Sequence, residues 1–205
     1  MQKLLVATTN KGKLQEMSGF LADLPVQLVS LSDVGIDQDV VEDGKTYEEN
    51  AKKKALFYAK LSDLPAIADD GGLEISALNG EPGIHSRRWL GYAADDQTLI
   101  NHMLQVSKDL PVDNRNARFI TIDCFALPSG EIYSSQGTVD GIIAENPFPK
   151  QLEGYPYRSF FFLPELGKYY FETELTPEEL KAYNHRYKAI EELKPTIRKV
   201  LNIKY

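Results

Sequence analysis

Two adjacent aspartates, Asp69 and Asp70, follow an apolar run that begins at Pro65, and Gly71 and Gly72 follow them. A carboxylate pair where an apolar strand stops suits a hard cation, which prefers carboxylate oxygens and keeps several waters. Either acid could hold the metal or take a proton from one of those waters. The glycines leave the backbone open to close approach by a ligand. An Asp-Asp-Gly-Gly hairpin turn explains the same four residues without any function.

Other clusters could act with this pair. In ATTNKGK, Ala7 to Lys13, an apolar strand gives way to a polar turn and then a helix. Free N–H groups and the dipole at a helix N-terminus attract anions. Thr8, Thr9 and Asn10 add hydrogen-bond donors and Lys13 adds a charge. The loop is neither G-x-x-x-x-G-K-[ST] nor G-x-G-x-x-G, and a simple cap by Thr9 or Asn10 is the competing reading. Asn50 and Lys54 share a helix face behind a loop containing Glu42; a solvated face with a Glu49–Lys53 pair is the plainer account of that segment. His185 and Arg186 lie in a helical stretch, where such a pair is usually at the surface. EGYPYRSFFFLP, Glu153 to Pro164, is aromatic enough to stack a base and equally suited to covering a core.

These residues need elements to position them. Hydrophobic spacing places a strand at Lys3–Ala7, a helix at Lys13–Leu24 with Leu14, Met17, Leu21 and Leu24 on one face, and a strand at Val26–Leu31. A helix over Thr46–Leu61 presents Tyr47, Ala51, Ala55 and Tyr58. Strands are expected at Pro65–Ala68 and Leu73–Leu78, a helix at Asp95–Leu110, and a hairpin of Ala117–Leu127 with Glu131–Val139. Thr176, Pro177 and Glu179 open a helix running to Leu193. Strands alternating with helices point to an α/β protein with a mixed sheet. One domain spanning residues 1–205 is expected, with the region from about 116 to 170 as a second lobe.

The 205 residues are 42% hydrophobic and 26% charged, a composition able to bury a sizeable core. A net charge of -7 without a basic stripe argues against nucleic acid as a partner. The single cysteine, Cys124, lies in an apolar run and reads as a buried structural thiol. The first ten residues read as a strand and not as a secretory signal. No apolar stretch approaches bilayer length, so no membrane partner is expected and the cytoplasm is the expected compartment.

The order of the clusters says more than any one of them. ATTNKGK, EDGKTYEENAKKKA, ADDGGLEISALNGEPGIHSRRW, GYPYRSFFFLP and NHRYKA resemble, over nearly the whole chain, the Ham1-like family of inosine/xanthosine triphosphate pyrophosphatases. The resemblance implies an elongated α/β fold with a mixed sheet, flanking helices and two lobes around a central nucleotide cleft. It implies Mg²⁺-dependent hydrolysis of a nucleoside triphosphate to the monophosphate and pyrophosphate. The implied substrates are inosine and xanthosine triphosphates and their deoxy forms, the implied assembly is a homodimer, and the implied role is cleansing of the nucleotide pool. By position, Thr8, Thr9, Asn10 and Lys13 become the triphosphate cradle, and Asn50 and Lys54 line its phosphate side. Asp70 becomes metal ligand and general base, supported by Asp69. His185 and Arg186 become base contacts, and Tyr155 to Tyr157 a stacking wall.

Several departures fall on those positions. Thr9 stands where the family has glycine, and Gly71 where it has serine, which removes a hydroxyl from the phosphate site. The base motif G-F-G-Y-D-P reads Gly154-Tyr155-Pro156-Tyr157-Arg158-Ser159, with arginine in place of aspartate and one residue inserted before Leu163. Lys181 is adjacent to the position, Leu180, where the family has lysine. The metal-binding glutamate of some members falls on Val41, with Glu42 as the nearest replacement. The phosphate and metal half is thus mostly kept and the base half altered. Arg158 either faces the base, where it favours one presenting acceptors, or points to solvent. Two alternatives follow: the same chemistry on another nucleotide, or a nucleotide-binding protein without catalysis.

Overall fold

The computed structural model describes residues 1–203. Its elements in chain order are β1 (Lys3–Val6), α1 (Lys11–Leu21), β2 (Gln27–Ser30), α2 (Tyr47–Ser62), β3 (Ala66–Ile75), α3 (Asp96–Asp109), β4 (Asn116–Ala126), β5 (Ile132–Ile143), β6 (Phe161–Leu163), β7 (Lys168–Tyr169), α4 (Pro177–Tyr183) and α5 (His185–Val200). The strands form one seven-stranded mixed sheet in the order β2-β1-β3-β4-β5-β6-β7. β1 runs parallel to β2 and to β3, while β6 is antiparallel to β5 and to β7. No described helix is long and apolar enough to cross a membrane.

The helices α1 to α4 each start where a side chain satisfies a free N–H group. Asn10 accepts from the Lys13 amide at 3.1 Å, so α1 begins at Lys11, before the Lys13 start that hydrophobic spacing predicts. Thr46 accepts from Glu49 at the head of α2, and Asp95 from Thr98 at the head of α3. Thr176 and Glu179 form the expected capping box of α4. The helix predicted over Thr176–Leu193 is in fact two: Asn184 takes an extended conformation (φ -76, ψ 114) and ends α4, and α5 starts afresh at His185.

Two predicted strands are one. β3 runs from Ala66 to Ile75 straight through Asp69, Asp70, Gly71 and Gly72, so the acids sit mid-strand and not at a strand end or in a hairpin turn. Pairing decides this. β1 aligns Leu5 with Ala66 and Val6 with Ile67 on one side, and β4 is the neighbour on the other. Pairing with these non-adjacent strands outweighs the local turn preference of glycine.

The chain forms two compact units. One comprises Met1–Asp70, Thr121–Gly137 and the chain from His185 onward; the other comprises Gly71–Ile120 and Thr138–Asn184. In the first, Leu4 and Val6 of β1, Ile67 of β3 and Phe125 of β4 pack with Met17 and Leu21 of α1 and Ile190, Leu193 and Ile197 of α5. In the second, Leu73, Leu99, Met103, Phe119, Ile143, Phe160, Phe161 and Tyr170 form the core.

Gly137 on β5 lies against the start of α5: a Cβ there would run into the backbone carbonyl of His185. Gly137→Ala should therefore lower the urea denaturation midpoint by an amount equivalent to ~1–3 kcal/mol. Gly19 on α1 faces open space, and Gly19→Ala should raise the midpoint, by up to ~1 kcal/mol. Equal midpoints for the two variants would show that α5 does not approach β5 in this way.

Candidate active site

Successive side chains of a strand point to opposite faces, and β3 uses this to separate its two acids. Ile67 belongs to the core beneath α1 and α5. Asp69, two residues on, meets charged groups from the same helices. Lys13 Nζ lies 2.8 Å from Asp69 Oδ2, and Arg186 donates to that oxygen from Nη2 at 3.0 Å and from Nε at 3.3 Å. Arg186 Nη1 also donates to Glu16 at 2.6 Å. Asp70 turns the other way, toward α2, where Asn50 Nδ2 donates to its Oδ2 at 3.1 Å.

The two carboxyls differ electrostatically. Burial raises Asp69, but the Lys13 ammonium, the Arg186 guanidinium and Lys54 outweigh it and hold this carboxyl well below the usual carboxylate range. At Asp70 burial prevails. Lys54, Lys13 and the Asn50 bond oppose it, Glu42 adds to it, and the carboxyl lies above its ordinary value.

α2 presents two polar side chains, Asn50 and Lys54, to this region. Asn50 is buried; its Oδ1 accepts from the Gly44 amide at 2.8 Å, and any side chain at Gly44 would strike that same oxygen. Lys54 Nζ donates to the Asp69 carbonyl at 2.9 Å and lies 3.0 Å from Glu42 Oε1. Burial would lower the Lys54 ammonium, but Glu42, Asp69 and Asp70 together raise it. The Glu49–Lys53 pair expected from sequence gives way to Lys53–Asp43 at 2.5 Å, because Glu49 accepts from the Lys45 amide instead.

The Thr8–Lys13 loop is tightly tied. Thr8 Oγ1 accepts from the Asn10 amide at 3.2 Å, Asn10 caps α1, and Thr9 is exposed. Asn10 thus fills the capping role, leaving the first amides of α1 without partners inside the helix. His185 is buried at the first position of α5. The first unit therefore brings together Asn10, Lys13, Glu42, Asn50, Lys54, Asp69, Asp70 and Arg186 through the contacts above.

The remaining candidates lie in the second unit. Arg158 does not point to solvent: it is 4% exposed, and its guanidinium lies 4.1 Å from the Tyr155 ring centre and 4.7 Å from that of Tyr170. The loop that sequence allowed to carry it outward folds back through a 3-10 turn, Arg158–Phe160. Tyr157 is buried, donates from its hydroxyl to the Ser86 carbonyl at 2.6 Å and meets Trp89 edge-on. Gly71 continues β3, and Lys181 is exposed on α4.

Sequence reasoning missed four participants. Glu16, one turn after Lys13 on α1, fixes Arg186. Thr121 brings its hydroxyl to 3.5 Å from Asp69 Oδ2. Tyr170 flanks Arg158. Asp123 is fully buried on β4. Only Asp123 left a signal, a lone acid within the apolar run Phe119–Leu127.

The Ham1 family model matches residues 4–196. A dITP/XTP pyrophosphatase of Geobacter sulfurreducens is 40% identical over 194 residues, covering 95% of this chain and 96% of that protein. Another, from Clostridium perfringens, is 37% identical over 207 residues, covering 98% and 100%. Among solved structures, a HAM1 protein from Coxiella burnetii superposes with a TM-score of 0.81 at 32% identity, covering 97% of this chain and 100% of that one.

Asp69→Asn leaves Lys13 and Arg186 without their carboxylate. Breaking one partner out of a buried charge group costs ~3–5 kcal/mol, so the urea midpoint at neutral pH should fall steeply. Asp69 is lower in the folded than in the unfolded chain, so its contribution is present above the ordinary carboxylate value, about 4, and is lost as pH falls toward the folded value. The gap between wild type and variant should narrow on acidification; a gap independent of pH would place the stabilisation elsewhere.

Proposed function

The chain belongs to the Ham1 family, and from that premise we propose that it hydrolyses non-canonical purine nucleoside triphosphates, those of inosine and xanthosine and their deoxy forms, to the monophosphate and pyrophosphate. The names of its relatives support the substrate class. The observation that carries the reaction is Asp70, a buried carboxyl raised above its ordinary value and held by Asn50 beside Lys54 and Glu42. A carboxylate raised in this way is a better proton acceptor at neutral pH than an exposed one.

In this reading Asp70 takes a proton from a water that attacks the α-phosphorus. The bond from that phosphorus to the bridging oxygen breaks, and pyrophosphate leaves. The α1 N-terminus with Thr8, Thr9 and Asn10, together with Lys13 and Lys54, meets the negative charge, since phosphoryl transfer depends mainly on positioning and charge neutralisation. Asp69 holds Lys13 in place. Base recognition is assigned to His185, Arg186, Tyr155, Tyr157, Arg158 and Lys181.

Mg²⁺ fits the donors present. It commonly takes one or two protein carboxylates and completes its shell from phosphates and water. Asp70 and Glu42 supply such oxygens, and among the described residues no larger His, Cys, Asp or Glu group forms a closed cage. When bound, the ion would neutralise phosphate charge and acidify a coordinated water. Homodimeric assembly and a cytoplasmic location belong to the same proposal.

The test is product analysis with inosine, xanthosine and guanosine triphosphates, with and without Mg²⁺. Pyrophosphate and monophosphate in equal amounts, dependent on Mg²⁺ and fastest with inosine or xanthosine, are expected; orthophosphate release or no turnover would overturn the proposal. Arg158→Gln, which buries no new charge, should shift relative kcat/KM among these bases by roughly tenfold, the size of one lost polar contact. An unchanged ranking would confine Arg158 to packing between Tyr155 and Tyr170.

A further inference from the structure

Asp123 lies on β4, next to β3 in the sheet, and its side chain is fully buried. Two positions before it, Thr121 reaches Asp69 Oδ2; two positions after it, Phe125 joins the core beneath α1 and α5. Strand alternation therefore places Asp123 on the face that carries Asp69. The charged groups that act on it are Asp69 from β3, Lys13 and Glu16 from α1, and Arg186 from α5.

Hydrogen bonding within this cluster is uneven. Asp69 Oδ2 receives Lys13 and Arg186, yet among the described residues no hydrogen bond reaches Asp69 Oδ1 or either oxygen of Asp123. A buried carboxylate without a donor is among the costliest groups a protein can hold. The nearby cations are already engaged with Asp69 and Glu16. Two neighbouring carboxyls with idle oxygens satisfy each other when one carries a proton, since a protonated carboxyl is a donor. Asp69 already receives two cationic donors and Asp123 none, and burial and the charge of Asp69 raise Asp123 well above its ordinary value against the opposing pull of Arg186 and Lys13, so the proton belongs on Asp123.

We propose that Asp123 is a positioning residue: a neutral carboxylic acid that donates its O–H to Asp69 Oδ1 and so fixes the carboxylate that holds Lys13 and Arg186. Its effect on turnover rests on the function proposed above; its protonation and its effect on stability do not.

The experiment combines carboxyl ¹³C NMR of the aspartate-labelled full chain with two variants. Asp123→Asn keeps an N–H donor in place of the O–H, and Asp123→Leu removes it. The Asp123 resonance should stand at its protonated position at neutral pH. The folded carboxyl lies above the unfolded value, so wild-type stability should fall as pH rises from about 4 through the folded value. Asp123→Asn lacks that loss, so its midpoint should gain on the wild type as pH rises. Asn should keep kcat/KM near the wild-type value, while Leu, still folded, should lose roughly tenfold or more through misplaced Lys13 and Arg186. An ionised resonance at neutral pH, a stability gap flat with pH, or an Asn variant as defective as Leu would each overturn the inference. The resonance and stability readouts need no substrate, so a wild-type chain without triphosphate turnover would sink the proposed function and leave this inference standing on them.

Discussion

The bond of Asp69 to Lys13 and Arg186 is the interaction on which the site depends. It ties the middle of β3 to α1 and to the first turn of α5, elements far apart in sequence, at a single buried oxygen. Its electrostatics are self-consistent: three cations acting on one buried carboxyl keep it ionised, and the ionised carboxyl keeps Lys13 and Arg186 in place. Glu16 takes the remaining side of Arg186. Because side chains alternate along a strand, anchoring Asp69 toward α1 and α5 commits Asp70 to the opposite face, where Asn50, Lys54 and Glu42 surround it. The two adjacent acids thus face different partners: Asp69 joins α1 and α5, and Asp70 faces the polar side chains of α2 and the loop before it, the arrangement on which the proposed reaction rests.

Much of this was legible in the residues, and the failures have physical causes. Helix starts were readable at the local caps Thr46, Asp95 and Thr176. β3 was not readable as one strand because Gly71 and Gly72 carry a turn signal that only pairing with non-adjacent strands can override. The break at Asn184 was hidden because hydrophobic residues continue at helical spacing on both sides of it. The order of the motifs nominated Lys13, Asn50, Lys54, Asp69, Asp70 and Arg186, which the fold brings into contact, but it did not disclose which of them pair. Lys13 and Arg186 share an oxygen of Asp69 only because the sheet order sets β1, β3 and β4 side by side beneath α1 and α5.

Arg158 shows what a departure from a family pattern does and does not reveal. The sequence disclosed the charge reversal, but not that the guanidinium lies buried against Tyr155 and Tyr170. A planar cation stacked on aromatic faces is a role that lysine fills poorly, and Arg158 takes it between Tyr155 and Tyr170. Cys124 illustrates the opposite case: burial pushes its thiol up to about 12, as the apolar run around it led one to expect of an inert structural cysteine.

The division between the two acids is tested most directly by measuring turnover and urea midpoint on the same preparation of Asp70→Asn. Removing a general base costs ~10²–10⁴-fold in rate. Burial makes the ionised Asp70 a net liability to the fold, so the amide should leave the midpoint at or above the wild-type value at neutral pH. Turnover reduced on that scale in a fully stable protein is the predicted result. Near-normal turnover, or loss of turnover together with loss of the fold, would contradict the account.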